Sequence, residues 1–168
     1  MTAQAARQME SPRFENEKSK ILAGLHGHFT GATVNEIPAL WQRFAPTIGH
    51  LPQQIDTVAY GVVEYRGSGG FDYMPSVEVS GADGLPAELV VIKLPALRYA
   101  KFVHAGHVSR ISDTVTAVFQ RWMPSAGYSA PLSIDPTQHI PTLIEFYGRE
   151  FNPATGMGGM EVWVPVRP

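Results

Sequence analysis

A single carboxylate, that of Glu145, lies in a run of apolar and aromatic residues, LIEFY, at positions 143–147. Alternate residues of a strand share a face, so Leu143, Glu145 and Tyr147 are expected to point the same way. In an apolar cleft such a carboxylate loses solvation and its pKa rises, a cost that a bound cation relieves. The alternative is a solvated glutamate on the outer face of a sheet, because carboxylates are rarely buried without a partner.

Other reactive side chains give weaker signals. The chain has no cysteine, which excludes disulfides, thiolate catalysis and sulfur-ligated metals. His26 and His28 have a spacing that can bind a metal, but no third ligand is evident and His104 is better explained as the repeat counterpart of His26. No Ser–His–Asp grouping is apparent. We therefore expect neither a metal nor another cofactor.

Composition and charge narrow the class of protein. The 168 residues fit one domain, the formal net charge is −2, and the thirteen Lys and Arg residues are scattered, so direct nucleic-acid binding is not expected. No apolar run reaches the roughly 18 residues that span a bilayer. The polar start lacks the apolar centre of a secretory signal. These features predict a cytoplasmic protein that does not enter membranes, with a flexible tail over residues 1–16.

The sequence repeats itself in one order. LWQRFAP at 40–46 answers VFQRWMP at 118–124, and VVEY at 62–65 answers LIEF at 143–146. LHGH at 25–28 precedes LWQRFAP, and the similar VHAGH at 103–107 precedes VFQRWMP. Farther along, VEV at 77–79 corresponds to MEV at 160–162. Ordered self-similarity indicates a duplicated structural unit. The predicted pseudo-repeats cover about 18–82 and 87–168 within a single domain at 17–168.

Each repeat is predicted to run strand, helix, strand, strand. One helix has Ile37, Leu40, Trp41 and Phe44 on one stripe, and the other runs from Val108 and stops at Pro124. Strands are predicted at about 20–30, 57–65, 73–80, 87–94 running into 99–104, 142–148 and 160–166. Gly-rich connections at 67–70 and 156–159 are predicted to be hairpin loops. Pairing the halves gives an α+β fold: a curved antiparallel sheet, two main helices and a ligand cleft between the halves.

Aromatic residues on the segments that line this cleft could accept flat ligands, and each cation–π contact contributes about 0.5–2 kcal/mol. Core packing is the preferred interpretation for Trp41, Phe44 and Phe119. Glu64 and Glu78 could add a second carboxylate to the cavity, although surface exposure is favoured for both. The candidate aromatic ligand contacts are Tyr60, Tyr65, Phe71, Tyr73, Trp122, Tyr147 and Trp163, with core and pocket equally open for Tyr73, Tyr147 and Trp163.

Several motifs together resemble one family. IPALW at 37–41, YGV at 60–62, FDYM at 71–74, YAKFVHAG at 99–106, RWMP at 121–124, IEFY at 144–147 and VWVPV at 162–166 are similar to those of GyrI-like small-molecule-binding domains. The same SHS2-type module is the effector-binding domain of AraC-type and MerR-type multidrug-responsive regulators. The resemblance implies a pocket for aromatic, often cationic, compounds with Glu145 at its base. No helix-turn-helix precedes the domain, so the resemblance is to standalone members.

Three functions follow as hypotheses. The first is a protein that binds a small hydrophobic or cationic molecule, acting as a monomer or homodimer. The second is a hydrolase of reactive cyclopropane-type compounds in which Glu145 is a general base. The third is a protein-interaction module like the gyrase-inhibitor relatives, which would require an exposed apolar or acidic patch distinct from the cleft.

Overall fold

Nine strands and two helical segments form an α+β structure in the computed structural model, which describes residues 11–65, 69–127 and 140–166. The strands are β1 Arg13–Glu17, β2 Lys20–Gly24, β3 Gly27–Phe29, β4 Ala59–Tyr65, β5 Phe71–Val79, β6 Val90–Leu94, β7 Leu97–His104, β8 Leu143–Tyr147 and β9 Met160–Val166. Helix α1 is Ile37–Phe44. Helix α2, Ile111–Ala117, continues through a π-helical segment, Val118–Trp122, into the short α3, Met123–Ser125.

All strand pairs are antiparallel, and the order across the sheet is β1-β7-β9-β8-β4-β5-β2-β6, with β3 also paired to β5. Strands β7, β9 and β8 come from the second predicted repeat and β4, β5 and β2 from the first, whereas β6 lies within the second repeat but pairs with β2 of the first. The two sets meet at the β4–β8 pair, where Gly61 is opposite Glu145. The predicted α+β class, antiparallel sheet and two main helices are confirmed.

Two long segments, β1–β2 and β6–β7, pair with each other and connect the two ends of this strand order. β1 is followed after two residues by β2, and β6 is followed after two residues by β7. The ladder keeps one register throughout, from Arg13 opposite Lys101 to Gly24 opposite Val90. The sheet is therefore strongly curved. The predicted flexible tail is too long at its C-terminal end, because residues 13–16 belong to β1.

Two hydrophobic cores lie on opposite faces of the sheet. The first contains the buried residues of both helices, including Leu40, Phe44 and Ile111, packed on Tyr73 and Tyr147. The second core has no helical residue and is built on strand side chains. Its buried members are Leu22, Tyr60, Val62, Met74, Ile92, Leu94, Tyr99, Ile144 and Trp163. Strand alternation in β8 thus sends Leu143 and Tyr147 to the helical face and Ile144 to the helix-free face.

Element boundaries differ from the sequence prediction in several places. The predicted strand at 20–30 is divided into β2 and β3. The second helical segment does not stop at Pro124 but runs on to Ser125, because proline is accepted in the first turn of α3. Gly156, Gly158 and Gly159 have positive φ, as a hairpin loop requires, while 66–68 of the other Gly-rich connection lie outside the described residues. Within the described ranges, no helix has the length and apolar character needed to cross a membrane.

Candidate functional site

Glu145 lies on the central strand β8, on the face that carries the helices. The neighbouring residue across the β4–β8 ladder is Gly61. A Cβ at position 61 would collide with the hydroxyl of Tyr73 and would lie 3.2 Å from Oε1 of Glu145. Glycine at this position therefore leaves the space through which Tyr73, on β5, reaches across β4 to Glu145.

The two tyrosines hold the same oxygen of the carboxylate. The hydroxyl of Tyr73 donates to Oε1 of Glu145 at 2.5 Å, and the hydroxyl of Tyr147 donates to it at 3.0 Å. Nε1 of Trp41 donates to the Tyr73 hydroxyl at 2.9 Å, which leaves that hydroxyl free to use its own proton on Glu145. Oε2 accepts no hydrogen bond from a described residue, yet it is not sealed off from solvent. One oxygen is therefore positioned and the other is available.

Burial is the main influence on the ionisation of this cluster. It raises the pKa of Glu145 above the ordinary glutamate value, and the hydrogen bonds from Tyr73 and Tyr147 offset part of the rise. Burial, followed by the negative charge of Glu145, raises the pKa values of Tyr73 and Tyr147 well above the ordinary value. Both phenols therefore keep their protons and act as donors. Glu145 lies deep in protein while its side chain remains partly exposed.

The candidate aromatic residues divide between the two faces. Tyr73 and Tyr147 contact Glu145 directly. Phe71 is farther away, connected to Tyr73 through Phe29 by ring contacts of 6.1 and 6.4 Å. The remaining four are also away from the carboxylate: Tyr65 is half exposed beside Phe71, Trp122 packs on Phe102, and Tyr60 and Trp163 lie in the helix-free core. Tyr60 and Trp163 therefore do not share a site with Glu145.

Trp41, which sequence reasoning assigned to the core, contacts both tyrosines that hold Glu145. Its ring meets Tyr147 edge-on at 5.0 Å and Tyr73 at 6.4 Å, and its N–H donates to Tyr73. The helical stripe correctly predicts that Trp41 faces the sheet. The available signal was the indole N–H, which needs a partner when it is buried.

Neither of the other strand glutamates adds a carboxylate to this site. Glu64 is on the opposite face from Val63, and Glu78 is on the opposite face from Val77, by strand alternation. Val63 and Val77 belong to the helical face, so both glutamates point to the other face of the sheet. The second carboxylate that would favour the hydrolase hypothesis is not supplied by Glu64 or Glu78.

The histidines are separate from Glu145. His26 and His28 both approach Asp72, at 3.5 and 2.8 Å. His104 is buried elsewhere, next to the hydroxyl of Thr114 at 2.7 Å and the carbonyl of His107 at 2.9 Å. In the part of the chain that the structure describes, no group of three His, Cys, Asp or Glu residues is arranged to hold a metal ion.

The match to a family of effector binding proteins gives the class of this curved antiparallel sheet with two helices on one face. Within that class the chain belongs to the Cass2 family, described as integron-associated effector binding protein, which matches residues 13–166. The match begins at the first residue of β1 and ends at the last residue of β9.

The chain is similar to a curated transcriptional regulator and to several solved structures. The Pseudomonas aeruginosa transcriptional regulator BrlR is 25% identical over 163 residues, which cover 96% of this chain and 55% of BrlR. The chain therefore spans about half the length of this relative. SAV2435 in its tetraphenylphosphonium complex superposes with a TM-score of 0.71 at 18% identity, covering 94% of both chains. The Vibrio cholerae integron cassette protein VCH_CASS2 has a TM-score of 0.55 at 16% identity, covering 95% and 97%. Both structures share the fold.

Proposed function

We propose that this protein binds a small organic cation on the helical face of the sheet, with Glu145 as the counter-charge. The observation that carries the proposal is the state of the carboxylate: two phenols hold Oε1, while Oε2 is accessible and has no partner among the described residues. No lysine or arginine in those ranges forms an ion pair with Glu145. An approaching cation therefore meets an uncompensated negative charge.

Because the carboxylate of Glu145 is buried, it distinguishes cationic guests from neutral and anionic ones. Opposite charges about 4 Å apart attract by about 4 kcal/mol at an effective dielectric near 20, before desolvation is subtracted. A neutral guest gains none of this, and an anion is repelled. Because burial already raises the pKa of Glu145, a cation also relieves a cost that the empty protein bears.

The rings around the carboxylate favour an apolar guest. Trp41 is only partly buried, and its edge-on contact with Tyr147 leaves aromatic surface beside Glu145. Aromatic faces contribute about 0.5–2 kcal/mol to a nearby cation according to its desolvation. We therefore propose a lipophilic cation with aromatic groups as the guest. The effector-binding family and the tetraphenylphosphonium bound to SAV2435 support this chemistry.

Titration with tetraphenylphosphonium tests the proposal, with tetraphenylborate as an anion of the same shape. We expect saturable binding of the phosphonium, at least about tenfold weaker binding after Glu145→Gln because the Coulomb attraction is lost, and no comparable binding of the borate. Glu78→Gln, which neutralises a strand glutamate on the other face, is the matched control and should leave affinity unchanged. Equal affinity for the two ions, or an unchanged affinity after Glu145→Gln, would refute the proposal.

A further inference from the structure

A groove of about 660 Å³ lies on the helix-free face of the sheet, lined by residues of β1, β4, β7, β8 and β9 and of the β8–β9 connection. It shares β8 with the cation site but not its side chains. Phe146 lines the groove, whereas Glu145 and Tyr147 point to the other face. The groove is therefore a separate place on the molecule, one sheet thickness from the proposed cation site.

The floor of the groove is aromatic. Phe146 stacks on Trp163 with ring centroids 4.7 Å apart and planes at 19°, and Tyr60 contacts both rings at 5.6 and 5.9 Å. β9 lies between β7 and β8, so Trp163 is between Phe146 and the ammonium of Lys101, which is 3.8 Å from its ring centroid. Trp163 is almost fully buried by this arrangement, while Phe146 stays partly exposed. Tyr60 is also buried, so Phe146 is the ring of this floor that keeps accessible surface for a guest.

The groove lining has one more carboxylate than it has cations. It has three cations and four carboxylates. Each cation is paired: Arg13 with Glu161, Lys101 with Glu17, and Arg149 with Asp56. The fourth acid, Glu150, is exposed and makes no ion pair or hydrogen bond with a described residue. Charge complementarity therefore favours a guest with one positive charge over a neutral or anionic one.

We propose that this groove is a second binding site, for a planar aromatic monocation that stacks on Phe146 with its charge towards Glu150. Contact with the accessible part of the Phe146 ring adds one more aromatic contact to the floor, and the paired cations need not move. The site goes beyond the proposed function because it uses neither Glu145 nor its two tyrosines. It predicts two equivalents of a flat cation per chain, one dependent on Glu145 and one dependent on Phe146.

Ethidium, a planar aromatic cation, tests the second site in the Glu145→Gln variant, which weakens the first. We expect one saturable equivalent to remain. Adding Phe146→Leu should weaken it about three- to tenfold, because an apolar side chain remains but the ring face is lost. Adding Glu150→Gln should weaken it about two- to fivefold, whereas Glu88→Gln, which neutralises an exposed acid away from the groove, should have no effect.

Indole N–H signals in NMR spectra locate the guest independently, since only three tryptophans are present. Trp163 donates its N–H to Glu161 beside the groove, and Trp41 donates to Tyr73 at the first site. In the Glu145→Gln variant, ethidium should shift the Trp163 signal and leave the Trp41 signal in place. A shift of Trp41 alone, no remaining saturable binding, or remaining binding that is insensitive to Phe146→Leu would each overturn the second site. Thermal unfolding checks that each variant is folded. Failure of the first site is a different result: tetraphenylphosphonium affinity unchanged by Glu145→Gln.

Discussion

The two faces of the sheet at β8 differ in whether their charged side chains are paired. On the helical face, the carboxylate of Glu145 is held by two phenols and forms no ion pair with a described residue. On the helix-free face, three cations and three carboxylates are joined in pairs above an aromatic floor. The first arrangement has an electrostatic cost that a guest can relieve. The second is largely neutralised within the protein.

This difference shows how two consecutive residues of one strand can face two different electrostatic environments. Glu145 points to the helical face, where β5 and α1 bring Tyr73 and Trp41 to it. Phe146 points to the other face, where β1 brings charged side chains to the sheet edge. The contrast depends on the close fit at Gly61 on one face and on ion pairs on the other. Each can be removed separately.

Gly61→Ala should have the largest effect on stability. The added Cβ collides with the Tyr73 hydroxyl on a central strand, so Tyr73 must move away from Glu145. We expect a loss of about 2–4 kcal/mol in the free energy of unfolding from overpacking and a displaced buried hydrogen bond, together with weakened cation binding. Urea denaturation measures it. Gly31→Ala is the matched control, because a Cβ there meets no atom within 4 Å. Equal stability of the two variants would contradict the close fit.

Glu145→Gln should raise stability at neutral pH while it weakens cation binding. Burial raises the folded-state pKa of Glu145, so the unfolded chain releases this proton at a lower pH than the folded protein does. Stability linked to this group is therefore greatest below the ordinary glutamate pKa, falls as pH rises to the folded-state pKa, and stays reduced above it. The gain at neutral pH should be about 1.4 kcal/mol per unit of raised pKa.

Denaturation of the wild type and Glu145→Gln from pH 4 upwards measures that gain. The two stability curves should separate as pH rises and then run parallel. Glu78→Gln should follow the wild type, because its side chain is on the other face of the sheet, away from Glu145. A constant difference between wild type and Glu145→Gln across the range would show that burial of the carboxylate is not the cause.

Much of the fold follows from local sequence patterns. β9 has its predicted bounds, and the amphipathic stripe places α1 on the sheet. β1 was missed because its sequence, RFENE, is polar and resembles a tail. Its charged residues are placed against Lys101 and Glu161 by the tertiary structure, and no local pattern in residues 13–17 encodes those partners.

The site could be predicted only in part. The alternation of side chains between the two faces of a sheet relates residues within one strand, but it does not relate residues of neighbouring strands. It correctly groups Glu145 with Tyr147. It cannot say whether Tyr60 of β4 joins them, because that depends on the register that puts Gly61 opposite Glu145. Trp41 was missed for a related reason: its hydrogen bond to Tyr73 joins a helix to a strand, so neither the helical nor the strand period reveals it.

Arg13→Gln should have the smallest effect and should be the most sensitive to salt. Arg13 contacts Glu15 and Glu161 on the helix-free face, where its side chain is about half exposed. Exposed ion pairs contribute about 0–1 kcal/mol, and salt shortens the Debye length from about 10 Å at 0.1 M to about 3 Å at 1 M. The difference from the wild type should therefore shrink between these salt concentrations in urea denaturation, whereas the gain from Glu145→Gln should persist because desolvation causes it. If both differences responded equally to salt, the two faces of β8 would not differ in how they hold charge.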